Sequence, residues 1–567
     1  MGGKLQWRHA AALGAMLALG ACAGSGDGLP RRHMISSANG HATAAGLEML
    51  RDGGSAVDAA IAAQLVLTLV EPQSSGIGGG AFLLHYRADS RHVAAYDGRE
   101  TAPGAARADM FLTPGGNPLK FLDAVVGGKS VGVPGVLRML EAAHRDHGKL
   151  DWGRLFRPAI ALAEDGFEIS PRLHRFIGLA KHLKDFEPAR QYFFTPEGDP
   201  NPVGGVLVNP ELADTLRRIA AGGADAFYKG EIARDIVQTV RSAPRNAGQM
   251  RVVDLARYRA KKREALCRNY RRWRICTMPP PTSGGVATLQ ILGMLERFDL
   301  ASIKPGSVQA VHLISEARRL AYADRAVYLA DPDFVRVPVE ALLSKTYLGK
   351  RAGLISAVRT MGKASAGKPR GISREWGRGD ALELPSTSHL GVIDEDGNAV
   401  SMTTSIENIF GSRLMTRGFM LNNQLTDFSF RPSAGGLPIA NRIAPGKRPR
   451  SSMSPTLVFD LNGKLVLTVG SPGGARIIGY VAKALIAALD WKLDLAAAFA
   501  LPNHVNRNGP IDLERGTQLI QIKPGLEALG HEVRMRRNAS GFHGIRVTPL
   551  GLDGAADTRR EGVADGD

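Results

Sequence analysis

One hairpin constrains this chain more than any other feature. Leu390–Ile393 is a short apolar strand, Asp394-Glu395-Asp396-Gly397-Asn398 is a turn, and Ala399–Thr404 is the returning strand. Asp-Gly supplies the positive φ that a hairpin turn needs at little steric cost. Folding the chain about Asp396–Gly397 sets Ser405 or Ile406 opposite Thr387, so a pair of hydroxyls is expected at the open end of the hairpin. β character continues in Thr456–Asp460 and Leu465–Val469.

The earlier part of the chain is richer in helix. Ala42–Leu50 has helical spacing, and Ala56–Val70 is apolar almost throughout, the mark of a helix buried on most of its faces. Glu71-Pro72 ends it, because the residue before proline is steered away from the helical region. Ala81–Tyr86 and Val93–Tyr96 read as a strand pair. Val136–His144, Trp152–Asp165, Pro210–Ala221, Gly285–Leu295 and Gly479–Leu489 read as helices, and Val308–Tyr328 as a long amphipathic one. Gly362–Arg378 is expected to be an exposed loop, and the residues from about Ala556 a polar tail. Few boundaries resemble linkers.

With 567 residues, 44% apolar and 22% charged, the chain has the material for a large core. Its formal charge of +18 suits acidic partners or simply a basic surface. No nucleic-acid-binding signature is present, and nucleic acid is not expected as a partner. Lys4 and Arg8 precede an apolar run, Ala10–Ala21, that is too short to span a bilayer and reads as a signal peptide. It ends Leu19-Gly20-Ala21-Cys22. This is either a lipobox, with Cys22 lipidated and residues 23–32 as a tether, or a leader cut near Ala21 or Ala23. The expected location is the periplasmic side of a cell envelope, lipid-anchored and leaning to the outer membrane. The other two cysteines, Cys267 and Cys276, flank a candidate hairpin. They are read equally as a disulfide and as two reduced thiols. No cysteine or histidine spacing suggests a metal, and no cofactor is expected.

Several polar clusters carry chemistry. Pro385-Ser386-Thr387-Ser388-His389 precedes the hairpin. Asn422-Asn423-Gln424-Leu425-Thr426-Asp427 follows an apolar stretch. Lys447-Arg448-Pro449-Arg450-Ser451-Ser452 comes next. Gly470-Ser471-Pro472-Gly473-Gly474-Ala475-Arg476 joins a strand to a helix, where backbone N–H groups can bind developing negative charge. Gly76–Gly80 lacks the Lys-Ser/Thr ending of a phosphate loop and is expected to pack near the site.

These segments, with Asp52–Ala60, Glu71–Gly80, Asp97–Pro103, Val133–Gly135, Pro279–Gly285, Tyr322–Arg325 and Asp557–Gly562, resemble in order the γ-glutamyltranspeptidase family over roughly residues 33–565. The resemblance implies an α/β (α+β) fold, the four-layer αββα sandwich of N-terminal nucleophile hydrolases. It implies self-cleavage between Ser386 and Thr387, into a large subunit (33–386) and a small one (387–567) that form one catalytic unit. Thr387 would be the nucleophile, Ser405 its hydroxyl partner, and Gly473 and Gly474 the oxyanion hole. Arg99, Ser451 and Ser452 would bind a donor's α-carboxylate, and Gln424 and Asp427 its α-amino group. The implied donor is a γ-glutamyl amide such as glutathione, and the acceptor is water, an amino acid or a peptide.

Bland readings stand beside these roles: an Arg99–Glu100 ion pair, a helix cap at Asp427, and tight turns at Gly473–Gly474 and Ser451–Ser452. The chain also departs from the family pattern. Glu407 stands where the family often has Asn; it would attract an α-amino group and repel an α-carboxylate. Arg413 is expected to bring a cation towards the pocket, and Phe430–Pro445, which has no Tyr, occupies the lid position. His389 is expected to be structural. The rival readings are an acylase on the same scaffold, acting on a glutaryl β-lactam or poly-γ-glutamate, and a non-catalytic peptide-binding surface lipoprotein.

Overall fold

A computed structural model describes residues 31–372, 376–384 and 386–567. The leader, Cys22 and all of the tether except Arg31 and Arg32 lie outside the described residues.

Two antiparallel sheets form the centre. The first contains β1 (Met34–Ser37), β2 (Gly80–Arg87), β3 (His92–Gly98), β4 (Lys261–Glu264), β7 (Ser388–Ile393), β8 (Ala399–Ser405) and β13 (Val563–Gly566). Its order is β13-β1-β7-β8-β2-β3-β4. The second contains β5 (Leu266–Tyr270), β6 (Trp273–Thr277), β9 (Thr456–Phe459), β10 (Leu465–Gly470), β11 (His543–Thr548) and β12 (Gly551–Ala556), in the order β12-β11-β10-β9-β6-β5. Strands from either side of Thr387 are interleaved in both sheets, so the outline of a helical first part and a strand-rich second part does not describe separate bodies.

The alternation of side chains along a strand explains the layering. Leu390 and Val392 of β7, Val400 and Met402 of β8, and Ala81 and Leu83 of β2 face outward. There they pack on α1 (Gly40–Arg51), α2 (Ala56–Val70) and α3 (Val136–His147). Phe82 and Leu84 point inward and join the cluster formed by Leu457 and Leu467 of the second sheet with α4 (Gly284–Leu295), α5 (Val308–Tyr328) and α6 (Ile477–Leu489). Small residues let the sheets approach. Thr456 N donates to Ser401 Oγ at 3.1 Å, and a Cβ on Gly391 would come within 2.7 Å of Thr468 Oγ1. The result is a four-layer α/β/β/α sandwich. All fifteen residues of α2 are buried, and Ser55 and Asp58 close its first turn as a capping box.

Two expectations are corrected. The helix α5 is not amphipathic in place: Glu316, Arg318, Arg319, Asp324 and Arg325 are all buried. Later segments cover its polar side, and each charge is met there, as with Asp324–Arg351 at 3.1 Å and Arg318 Nη1 on the His504 carbonyl at 2.5 Å. Buried charge is tolerated only when paired in this way. The residues after Ala556 are not a loose tail, because β13 pairs along β1 from Met34↔Gly566 to Ser37↔Val563. Backbone bonding to a sheet edge needs no apolar pattern, so nothing in composition announced it. Cys267 and Cys276 face each other in the β5–β6 ladder and are joined as a disulfide.

Candidate active site

The hairpin builds the centre of the site. β7 and β8 pair through Thr404↔Ser388, and one step further along the same ladder Ser405 comes opposite Thr387. Their hydroxyl oxygens are 3.2 Å apart. Gly397 takes the turn at φ +78. On the other side of β8, Ser405 pairs with Gly80, and a Cβ on Gly79 would strike the Ser405 carbonyl at 2.2 Å. The glycine-rich loop is therefore glycine-rich because it lies against Ser405.

Both hydroxyls converge on one carbonyl. Ser405 Oγ donates to the Ser386 oxygen at 2.9 Å, and Thr387 Oγ1 donates to the same oxygen. Glu407 N donates to Ser405 Oγ at 2.9 Å, which orients that hydroxyl. The Thr387 carbonyl is held by Arg560 Nη1 at 2.9 Å. Two hydroxyls thus meet at the carbonyl of the Ser386–Thr387 peptide bond.

A cavity of about 20 Å³ opens beside them, room for about one water. Arg99, Ser386, Thr387, Ser405, Glu407, Gln424, Asp427, Ser451, Ser452 and Gly474 all line it. Of the expected site residues within the described chain, Gly473 alone is not in this lining; a Cβ there would meet the Tyr480 ring at 2.7 Å. Gly474, at φ +57, has the Leu384 carbonyl where a Cβ would go, and Ala475 N donates to the Glu383 carbonyl at 3.2 Å. This loop is therefore occupied by the backbone of Glu383 and Leu384.

The charged clamp is intramolecular here. Arg99 Nη2 donates to Asp427 Oδ2 at 2.5 Å and to the Arg450 carbonyl at 3.0 Å, and Nε donates to the Pro449 carbonyl at 3.1 Å. Glu100 is 3.6 Å from Arg99 Nη1, and burial pushes its carboxyl up to about 8 against the pull of Arg99. Gln424 Nε2 donates to Asp427 Oδ2 at 2.8 Å. Asp427 Oδ1 and Gln424 Oε1 are buried acceptors without a hydrogen-bond partner. Burial pushes the Asp427 carboxyl up to about 6, Glu383 adds to this, and Arg99 opposes it. Glu407, at φ +75, accepts from Leu384 N at 3.1 Å and from Asn423 Nδ2 at 2.5 Å. Burial, with Asp427 and Glu383 nearby, raises its carboxyl well above the ordinary range. Ser451 Oγ accepts from Met453 N at 3.1 Å.

Other expectations resolve differently. Arg413 is buried in its own loop, on the Ile409 and Gly411 carbonyls and on Asn408 Oδ1, and it does not line the cavity. The segment Phe430–Pro445 lines none of it either, though Asn441 braces the site from behind through the Asp427 carbonyl and Arg450 N. His389 lies between the sheets, bonded to Thr403 Oγ1 at 2.8 Å, and burial holds its pKa well below the ordinary value. His312, Glu316 and His531 form a buried cluster. Their atoms are already bonded to one another, to Thr360 and to Arg319, and a guanidinium is a poor neighbour for a metal cation.

Sequence reasoning passed over four residues at the site. Glu383 enters the pocket from upstream, and Arg325 and Arg450 meet its carboxylate. Arg560 holds the Thr387 carbonyl. Arg325, Arg450 and Arg560 stood within quoted motifs, but only their partners in space reveal what they do.

Comparison with known proteins identifies the family of the chain as a whole. The family model for gamma-glutamyltranspeptidase matches residues 42–566. The chain is 36% identical to a glutathione hydrolase proenzyme of Bacillus subtilis (strain 168), covering 94% of this chain and 91% of the relative. It is 37% identical to a glutathione hydrolase proenzyme of Escherichia coli (strain K12), covering 93% and 90%. Among solved structures, a cephalosporin acylase from Bacillus halodurans superposes with a TM-score of 0.83 at 26% identity, covering 94% of this chain and 96% of that one. With a Thr-Ser hydroxyl pair at a strand start, an Arg-Asp clamp beside it and a family match along nearly its whole length, the chain belongs to the γ-glutamyltranspeptidase family.

Proposed function

We propose that this chain cuts itself between Ser386 and Thr387 and then transfers γ-glutamyl groups from amides such as glutathione to water, amino acids or peptides. The observation that carries this reading is the convergence of Thr387 and Ser405 on the Ser386 carbonyl. In self-cleavage, Thr387 Oγ attacks that carbonyl carbon, the C–N bond breaks, and the hydroxyl proton ends on the departing nitrogen. Water then hydrolyses the ester. The new α-amino group, with an ordinary pKa of about 7.7–8.0, sits on the same residue as the hydroxyl and serves as its base. A peptide nitrogen cannot do this, so the cut creates the catalyst.

In turnover, Thr387 Oγ attacks the γ-carbonyl of the donor and its proton passes through the amine to the leaving nitrogen. The acyl group remains as an ester until water or an amine takes it. Ser405 orients the nucleophile, and Gly473 and Gly474 stabilise the oxyanion once the upstream backbone has left. Arg99, Ser451 and Ser452 take the α-carboxylate. Asp427 and Gln424 take the α-amino group, with Glu407 beside them. The unpartnered Asp427 Oδ1 and Gln424 Oε1 favour a donor with an ammonium over a plain glutaryl group, the acylase reading that the Bacillus halodurans enzyme keeps in view. The leader supports export with Cys22 as a lipid anchor; Cys22→Ser would then release the protein from the membrane fraction.

The test is a denaturing gel of the wild-type protein beside Thr387→Ala, with N-terminal sequencing and a γ-glutamyl anilide assay. The expected result is a small fragment beginning at Thr387 and turnover in wild type only. A folded, uncut and inactive wild-type chain would overturn the proposal and favour a peptide-binding role.

A further inference from the structure

The strongest unassigned feature lies outside the active site and is a basic face. Residues 345–370 hold seven Lys and Arg and no Asp or Glu, so this short stretch supplies +7 of the chain's +18. Its helix, Lys345–Ala352, and the loop that follows pack together. Arg351 Nη2 donates to the Ser365 carbonyl at 2.9 Å, and a Cβ on Gly367 would strike Tyr347 Oη at 2.2 Å. Arg351 is buried against Asp324. The other six, Lys345, Lys350, Arg359, Lys363, Lys368 and Arg370, are exposed and have no ion-pair partner among the described residues.

The acids that touch this stretch face inward. Glu316 is buried and accepts from Thr360 Oγ1 at 2.8 Å, from Met361 N at 2.7 Å and from Arg319 Nε at 2.8 Å. Asp324 accepts from Gly367 N and Tyr347 Oη, both at 2.8 Å. Beside the Thr360–Leu529 backbone bond, Glu527 and Glu532 are already paired with Lys523 and Arg534. These bonds fix the loop to the body of the protein and leave its outward charge unneutralised. Two apolar side chains stand exposed in the same stretch, Leu354 at 56% and Val358 at 75%. Its one aromatic residue, Tyr347, is buried, so it offers no ring on which a nucleic-acid base could stack.

We infer that this face docks the protein on a bilayer with anionic headgroups. Each Lys or Arg close to such a surface strengthens partitioning by roughly fivefold. The attraction fades beyond a Debye length, about 10 Å at moderate salt, so only charges on the docked face count. A soluble polyanion would engage the six cations and leave Leu354 and Val358 in water. A bilayer surface engages both, because apolar burial at the headgroup boundary adds to the attraction between charges. The inference rests on the proposed membrane location in one respect. A lipid on Cys22 would hold the chain near the bilayer through residues 23–32 without orienting it, and the basic face supplies the orientation.

The test is vesicle co-sedimentation of the chain beginning at Ala23, which carries neither leader nor lipid. Phosphatidylcholine vesicles with about one third phosphatidylglycerol should bind it, and phosphatidylcholine alone at least tenfold less, the difference vanishing at high salt. The triple variant Lys350→Gln, Arg359→Gln, Lys363→Gln should weaken binding about 10²-fold. Leu354→Ser with Val358→Ser should weaken it at least tenfold, yet leave retention on immobilised dextran sulfate unchanged. These side chains are exposed, so Tm should stay at the wild-type value in every variant. Equal binding to the two kinds of vesicle would overturn the inference. So would a serine pair that binds vesicles like the wild type, which would mark the partner as a soluble polyanion. The vesicle result does not depend on Cys22. Failure of the lipid-anchor reading is seen separately, as Cys22→Ser protein that stays in a salt-washed membrane fraction.

Discussion

The Thr387 and Ser405 hydroxyl oxygens stand 3.2 Å apart, eighteen residues apart in sequence, because the β7–β8 ladder carries them to the same rung. Ser405 spends its single proton on the Ser386 carbonyl.

Removing that donor should therefore slow cleavage more than it unfolds the protein. Loss of one oxyanion-type donor costs about 10²–10³-fold in rate. Ser405→Ala is expected to accumulate uncut chain with a cleavage half-time longer by about that factor, and Ser405→Thr to stay near wild type, as read from a gel time course.

Asp427 gives a pH signature. With its carboxyl raised to about 6, it is half protonated there and ionised above. Only the ionised form attracts an ammonium, so kcat/KM for a γ-glutamyl donor falls as pH drops through about 6. Departure of Glu383, one of the charges that raise it, moves this limb lower. Asp427→Asn should abolish the limb and lower kcat/KM by about 10²-fold, the scale of a lost buried charge contact. A profile of kcat/KM from pH 4.5 to 9 checks both.

Arg560 ties the C-terminal segment to Thr387, donating to the Thr387 carbonyl at 2.9 Å and from Nε to the Ser540 carbonyl at 3.0 Å. Arg560→Ala frees the strand start that carries Thr387. Cleavage is expected to slow at least tenfold, on the principle that misplacement by about 1 Å costs about 10² in rate. The fraction cut after a fixed interval is the readout.

The Cys267–Cys276 bridge closes a short hairpin loop at the edge of the second sheet, and neither residue lines the cavity. Replacing both with Ser should cost about 2–3 kcal/mol by loop entropy, seen as a lower Tm, with turnover at 25 °C unchanged.

Much of this was legible in the sequence because it is local. The Asp-Gly turn and the apolar pattern on either side of it brought Ser405 or Ile406 opposite Thr387, and the ladder selects Ser405. The apolar run of α2 announced a helix buried on most of its faces, and the structure buries all of it. The clamp was legible only through resemblance: Arg99 and Asp427 are 328 positions apart, and no periodicity links them. The amphipathic reading of α5 failed because polar residues there face later segments of the chain and not water. Arg413 failed for a similar reason, since its guanidinium is consumed by carbonyls of its own loop and of Lys181.

The sequence by itself determined the hairpin, the hydroxyl of Thr387 at its open end and the order of motifs that marks the family. Backbone periodicity and turn chemistry act over a few residues and leave their trace in composition. The tertiary structure alone decided that Glu383 fills the space between Arg325, Arg450 and Ser452, that Arg560 holds Thr387 from 173 residues away, and that β13 closes the first sheet. Those contacts join side chains and strand edges that meet only once four layers have stacked, and a buried charge shows its role only through the partner that burial forces upon it.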